Sequence, residues 1–111
     1  MALQNLFDYP DNSSEEILQT IMQAKDAMVE RIVSYGQITP VDEPYDQDRD
    51  ELVMVLQGQA KLKLKDQDEI VLTKGDILNI PKHTLHWVTY TSTQPPVVWL
   101  AIHYNAESSN E

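Results

Sequence analysis

The residues best suited to chemistry in this chain are its three histidines. His83 and His86 are three residues apart and follow closely on Pro81, and His103 lies in the last apolar segment. Imidazole nitrogens bind first-row divalent metals and exchange protons near neutral pH. The chain has no cysteine, which excludes thiolate ligands and cysteine nucleophiles, and no serine constellation points to covalent catalysis. The chemistry to look for is therefore metal Lewis-acid chemistry or proton transfer.

Composition and charge limit the partners. A chain of 111 residues suits one domain with its own apolar core. The net charge of -10 argues against nucleic acids and anionic membrane surfaces, because both attract basic proteins. No apolar stretch is long enough to cross a membrane, and the N-terminus lacks the features of a signal peptide. We therefore expect a cytoplasmic protein that binds a small molecule, with neither nucleic acid nor membrane as a partner.

The apolar pattern predicts short strands separated by turns. Strands are predicted at residues 29–35, 51–56, 60–64, 70–72, 77–80, 86–90 and 97–104. Residues 14–23 instead suggest a helix, because Ser13 and Glu16 have the spacing of a capping box and apolar residues from Ile17 to Met22 recur at helical spacing. The sequence therefore predicts an all-β sandwich or barrel with a short N-terminal helix.

Two segments of the chain resemble the paired motifs of the cupin superfamily, whose fold is a small jelly-roll β-barrel. The first motif ends in a glutamate, six residues and a glycine, which Glu51 and Gly58 match. The second contains a glycine, five residues, a proline, any residue, a glycine, two residues and a histidine; Gly75, Pro81 and His86 match, and His83 stands in the place of the turn glycine. The segments ERIVSYGQ, PYDQ and WLAIHY and the turn from Pro81 to His86 also resemble a group of small bacterial single-domain cupins to which no settled reaction belongs.

The resemblance implies a domain organisation. The match extends over residues 29–104, about two thirds of the chain. It implies a single cupin domain over residues 1–111, in which residues 29–104 form the barrel and residues 1–26 form an N-terminal arm and helix. We also expect a homodimer, because the segment from Glu51 to Gln57 is apolar on both faces and needs two covers.

The resemblance further implies a metal site that this chain retains only in part. In the superfamily, two histidines of the first motif, its glutamate and the histidine of the second motif hold the metal. Glu51 and His86 keep their positions, but the two first-motif histidines are absent. The candidates for a third or fourth ligand are His83, His103, Asp46 and Gln47.

The cupin registry also implies which side chains face the interior. Glu51 and His86 should both point into the barrel, and alternation along the strand should place Tyr90 beside His86. These three residues are the candidates for catalysis. The alternative is that Glu51 and His86 form a metal-free hydrogen-bonded pair, that His83 is an exposed turn residue and that His103 belongs to the core.

Three functions follow as hypotheses. The first is a small cupin that binds a divalent metal ion (Zn, Fe, Mn or Ni) and a small polar metabolite in the barrel. The second is a metal-free ligand-binding module with a sensor or regulatory role. The third is a metal-free isomerase or epimerase, similar to the sugar-nucleotide cupins that use histidine and tyrosine, for which Tyr90 beside His86 is the only feature.

Overall fold

All the regular elements of the described chain, residues 3–106 of a computed structural model, are β-strands. The strands are β1 (Ile17–Gln23), β2 (Ala27–Ser34), β3 (Asp50–Gln57), β4 (Ala60–Leu64), β5 (Ile70–Leu72), β6 (Ile77–Ile80), β7 (His86–Thr91) and β8 (Val97–Tyr104). Within these residues, no helix could span a membrane. The predicted all-β class and all seven predicted strands are confirmed.

The helix predicted at residues 14–23 is wrong, because most of this segment forms strand β1. β1 pairs antiparallel with β2, with Ile17 opposite Val33, so its backbone groups are satisfied by a neighbouring strand. Ile17 and Leu18 lie on opposite faces of β1, one outside and one inside the barrel, which explains an apolar spacing that resembles a helix. Glu16 does not cap a helix either: its carboxylate accepts a hydrogen bond from the Ser34 hydroxyl at 2.6 Å.

The eight strands form two antiparallel sheets that pack face to face. One sheet has the order β1-β2-β8-β3-β6, and the other has the order β5-β4-β7. The central core consists of apolar side chains that both sheets direct inward: Val53, Val55, Ala60, Leu62, Leu64, Leu72, Ile80, Val97 and Trp99. Burial of these side chains supplies the main stabilisation of such a sandwich. It also leaves room near one end of the barrel for polar residues.

The N-terminal arm lies across the outer face of the larger sheet. The Arg31 guanidinium donates hydrogen bonds to the carbonyl oxygens of Leu6 (3.1 Å) and Asp8 (2.7 Å). The Tyr35 hydroxyl donates to the carbonyl oxygen of Pro10 at 2.6 Å. Arg31 is only 6% exposed, since the arm covers it. The arm therefore covers part of the apolar outer face of the larger sheet.

The turn between β6 and β7 carries an unusual backbone conformation. His83 has a φ of 59°, in the left-handed region that glycine adopts most readily. Its N–H donates to the Gln47 carbonyl oxygen at 2.7 Å, which ties this turn to the loop before β3. The second cupin motif has a glycine at this position, so the backbone keeps the shape of the motif although the residue differs.

Candidate functional site in the barrel

A cavity of about 130 Å³ lies between the inward faces of the two sheets. Its apolar walls carry seven polar side chains that could contact a ligand: Glu16, Glu30, Tyr45, Gln47, Glu51, His86 and His103. No lysine or arginine of residues 3–106 lines it. The cavity is therefore a small acidic chamber.

His86 and Glu51 face each other across this cavity, as the sequence predicts. His86 is the first residue of β7 and Glu51 the second residue of β3, and they are 4% and 7% exposed. The Nε2 atom of His86 lies 3.7 Å from the Oε1 atom of Glu51, which is too far for a hydrogen bond. Both groups are thus buried and open to a ligand.

The orientation of the His86 ring is fixed from its other side. Its Nδ1 atom lies 2.8 Å from the carbonyl oxygen of Thr84. A carbonyl oxygen can only accept a hydrogen bond, so Nδ1 carries a proton, and in the neutral ring Nε2 keeps a free lone pair. The Tyr45 ring stacks on the imidazole with centroids 5.3 Å apart and an interplanar angle of 24°. This arrangement presents Nε2 to the cavity.

The surroundings of His86 also set its protonation. Burial alone would lower the pKa of the imidazole. The Glu51 carboxylate and the Thr84 carbonyl oxygen favour the protonated ring and outweigh burial, so the pKa of His86 lies above its ordinary value. Burial and the nearby Glu16 carboxylate raise the pKa of the Tyr45 hydroxyl, which therefore stays protonated at neutral pH.

A second histidine–carboxylate pair lies in the same cavity. His103 is 7% exposed, and its Nε2 atom lies 3.3 Å from the Oε1 atom of Glu30. His103 stands directly opposite Glu51 in the pairing of β3 with β8. The sequence left open which face of β8 lines the pocket, and the structure shows that the face with Trp99 and His103 does so.

Two other candidate ligands lie at the rim of the barrel. The His83 Nδ1 atom and the Asp46 Oδ1 atom are 3.1 Å apart, and the side chains are 65% and 56% exposed. Neither residue lines the cavity that holds His86. Gln47, the remaining candidate, lies between the rim and the cavity and contacts both. The structure thus brings Glu51, His86, His103 and Gln47 together at the cavity and leaves His83 and Asp46 outside.

The prediction that Tyr90 faces the barrel beside His86 is wrong. A register shift occurs in the pairing of β4 with β7, where Lys61 pairs with Tyr90 and Leu62 pairs with Val88. This irregularity reverses the alternation of side chains, as a β-bulge does. Tyr90 is consequently 42% exposed, and the Lys61 Nζ atom lies 5.6 Å from its ring centroid on the outer surface.

Three polar residues of the cavity were missed by sequence reasoning. Glu30 lies on the inward face of β2, and its position in the alternation could have identified it once that face was known. Glu16 was assigned to a helix cap. Tyr45 lies in a loop with no periodic pattern, so no sequence signal pointed to it.

The donor atoms of the cavity suit a metal ion in part. Two ligands at about 2.1 Å from one ion can stand up to about 4.2 Å apart, so the 3.7 Å between His86 and Glu51 fits. The Nδ1–H bond of His86 to a carbonyl is the outer contact that metal-binding histidines usually make. However, no three His, Cys, Asp or Glu side chains of residues 3–106 surround one point. The residues present supply two protein donors.

Comparison with known proteins agrees with this geometry. Residues 32–103 match the cupin domain family, and the chain belongs to it. Among solved structures, it is similar to a protein of Ralstonia eutropha JMP134 provisionally assigned as a mannose-6-phosphate isomerase, with a TM-score of 0.90 and 38% identity over 96% of this chain and 100% of that one. No curated protein matches the chain significantly.

More distant structures share the fold alone. A cupin superfamily protein of Desulfitobacterium hafniense DCB-2 has a TM-score of 0.75 and 19% identity, over 96% of this chain and 92% of that one. An RmlC-like cupin of Methanocaldococcus jannaschii, with a double-stranded β-helix fold, has a TM-score of 0.71 and 11% identity, over 95% and 94% of the two chains. The predicted cupin fold is confirmed.

Proposed function

We propose that this cupin binds a divalent metal ion through His86 and Glu51, together with a small polar metabolite in the barrel cavity. The observation that carries this proposal is a buried imidazole nitrogen and a buried carboxylate oxygen that lie 3.7 Å apart and face one cavity without bonding to each other. The buried Glu51 carboxylate has its ion-pair partner His86 beyond hydrogen-bond distance, and a cation between the two groups would offset more of the cost of burying its charge.

The charge of the cavity supports the same proposal. Three glutamates line it, and none of the lysines or arginines of residues 3–106 balances them. Glu16 accepts a hydrogen bond from Ser34, and Glu30 is paired with His103, so Glu51 is the carboxylate left for a cation. Zinc, iron, manganese and nickel all accept one imidazole and one carboxylate as ligands. A bound ion of this kind would supply Lewis-acid polarisation of the metabolite.

The chain's own residues would prepare the site for that ion. The Thr84 carbonyl oxygen holds the His86 ring so that Nε2 faces Glu51, and Tyr45 stacks on the ring from one side. Apolar side chains of both sheets, Val53 and Val88 among them, form much of the walls. Both donors are on strands, which keeps them in place more rigidly than loops would.

Metal analysis of protein purified without a histidine tag tests the proposal. We expect about one equivalent of a divalent first-row metal in the wild type and a loss of most of it in His86→Ala. His83→Ala is the matched control, because it removes an imidazole at the rim and should leave the metal content unchanged. Substoichiometric metal that does not differ between the wild type and His86→Ala would show that the proposal is wrong.

A metal-free ligand-binding module is the second candidate. It is favoured by the absence of a third assembled donor among residues 3–106 and by the pairing of His103 with Glu30. Under this alternative, protein treated with a chelator would keep its melting temperature and would still be stabilised by the metabolite. A melting temperature that falls on chelation and recovers with added metal would favour the metal-binding cupin instead.

An isomerase or epimerase is the weakest candidate. The protein of R. eutropha is provisionally assigned as a mannose-6-phosphate isomerase, and a related activity could be considered for this chain. The only residue that suggested such chemistry in the sequence was Tyr90, which lies outside the barrel. We therefore propose no isomerase reaction.

A further inference from the structure

A groove at the mouth of the barrel continues from the cavity. This rim groove, about 560 Å³ in volume, is lined by Arg49 and His83 together with acidic residues of the loop before β3. Three residues, Glu30, Gln47 and His103, line both the groove and the inner cavity. A ligand that enters the barrel from this side must pass them, so the groove and the cavity can be occupied by one molecule.

Arg49 lines this groove, and its charge has no ion-pair partner among residues 3–106. It is half-buried, and its guanidinium forms no ion pair or hydrogen bond with another residue of the described chain. Of the acids beside it, Asp48 also lines the groove and has no partner among the described residues, while the other two are held elsewhere. Asp50 accepts backbone N–H bonds from Lys82 (2.9 Å) and Ala106 (3.3 Å), and Asp46 is paired with His83. No other residue of positions 3–106 occupies the planar donors of Arg49, so they can bind an anion.

Gln47 adds a second group that lacks a partner. Its side-chain Oε1 atom is buried and has no hydrogen-bond donor in the described chain. Buried acceptors of this kind nearly always have a partner, which here could be a hydroxyl group of a ligand. Its backbone carbonyl oxygen is held by the N–H of His83 at 2.7 Å, so the side chain stands at a defined position between the groove and the cavity.

We propose that the metabolite carries an anionic group, a carboxylate or a phosphate, that binds Arg49 in the rim groove, while its hydroxylated end passes Gln47 into the cavity. Only the placement of the hydroxylated end of the metabolite in the cavity rests on the proposed function. Guanidinium groups recognise both oxyanions through two parallel hydrogen bonds. Arg49 lines the rim groove and not the inner cavity, and its position sets the direction in which the ligand lies.

Three probes with a common body test this assignment. Glycerol 3-phosphate, glycerate and glycerol can be titrated into the wild type by isothermal calorimetry, with NMR of the Arg49 Nε–H and Gln47 side-chain amide signals. We expect both anions to bind at least about tenfold more tightly than glycerol, since a charge-assisted hydrogen bond contributes at this level. The tighter of the two anions identifies phosphate or carboxylate as the natural group.

Variants then locate the anion. Arg49→Gln should remove the preference for the anions, and Arg49→Lys should restore part of it. Lys82→Gln is the matched control, because it removes the same charge near the same turn from a residue that does not line the groove. Equal binding of glycerol and the anions by the wild type, or an equal loss in Lys82→Gln and Arg49→Gln, would overturn the assignment.

The metal content separates this inference from the proposed function. Arg49→Gln should keep the metal of the wild type, because its side chain does not line the inner cavity. A metal-free wild type that still prefers the anions through Arg49 would contradict the metal site and leave the anion site standing. A metal-loaded wild type without that preference would contradict the anion site alone.

Discussion

Replacing Gly58 by alanine should destabilise the protein much more than the same replacement of Gly75. Both glycines have φ values in the left-handed region, +84° and +92°. Alanine in that region costs about 1–2 kcal/mol, and about 0.4–1 kcal/mol of this is offset by the reduced entropy of the unfolded chain. A Cβ at Gly75 would meet nothing within 4 Å, so we expect Gly75→Ala to cost about 1 kcal/mol.

Gly58 differs because its surroundings leave no space. A Cβ there would lie 2.8 Å from the Ser92 Oγ atom, 2.9 Å from the Pro96 carbonyl oxygen and 3.0 Å from the Val97 Cα atom. Two of these are backbone atoms, and Val97 is fully buried at the start of β8, so they cannot move aside easily. Overpacking of this kind adds about 1–3 kcal/mol. We therefore expect Gly58→Ala to cost about 3 kcal/mol in total.

Urea denaturation of the two variants and the wild type measures the difference directly. The free energy of unfolding should fall about 2 kcal/mol further in Gly58→Ala than in Gly75→Ala, with equal slopes against urea concentration. The two variants change the same atoms at similar φ, so each is the control for the other. Losses that agree within about 0.5 kcal/mol would refute the steric reasoning, because backbone strain alone would then account for both.

Three further predictions concern protonation, the N-terminal arm and assembly. In metal-free protein, NMR titration of His86 should give a midpoint above the ordinary value of about 6.5, and Glu51→Gln should lower it. The stabilisation from the His86–Glu51 pair is complete below the pKa that His86 has in the unfolded chain, and it is lost as the pH rises through the pKa of His86 in the folded protein. A midpoint at the ordinary value would contradict this stabilisation. Arg31→Met removes both hydrogen bonds to the N-terminal arm and should lower the free energy of unfolding by about 2 kcal/mol. Chymotrypsin should then cleave faster after Phe7. An unchanged rate of cleavage would show that Arg31 does not hold the arm. Light scattering should give a mass twice the 12.7 kDa of one chain, because a second copy can cover the apolar outer face around Met54. Met54→Glu should yield a monomer. A monomeric wild type would contradict the predicted homodimer.

Local pattern was enough to predict most of the barrel. The bounds of β4, β5, β6 and β8 agree with the alternation and turn signals of the sequence. These strands could be predicted because alternating apolar residues, glycines and prolines are local properties of the chain. The resemblance of Glu51 to Gly58 and of Gly75 to His86 to the two cupin motifs added the cupin fold, which the family match over residues 32–103 confirms.

Long-range pairing decided the elements that were predicted wrongly. β1 has an apolar spacing that suits a helix as well as a strand, and the choice between them depends on the edge that β2 offers. Tyr90 faces outward because of a register shift against β4, and the alternation within β7 alone gives no sign of that shift. Both errors arise where a neighbouring strand overrides the local pattern.

The site shows the same division. The resemblance of the sequence to the two cupin motifs was enough to predict that Glu51 and His86 face one cavity, because the motifs imply their places on two strands of the barrel. It also marked His83 as the residue that replaces a turn glycine, and the φ of 59° agrees. Only the tertiary structure decided that His83 turns to Asp46 at the rim, that Glu30 and Tyr45 join the cavity and that Nε2 of His86 stays open. Those outcomes depend on contacts between segments that are distant along the chain, which one sequence does not specify residue by residue.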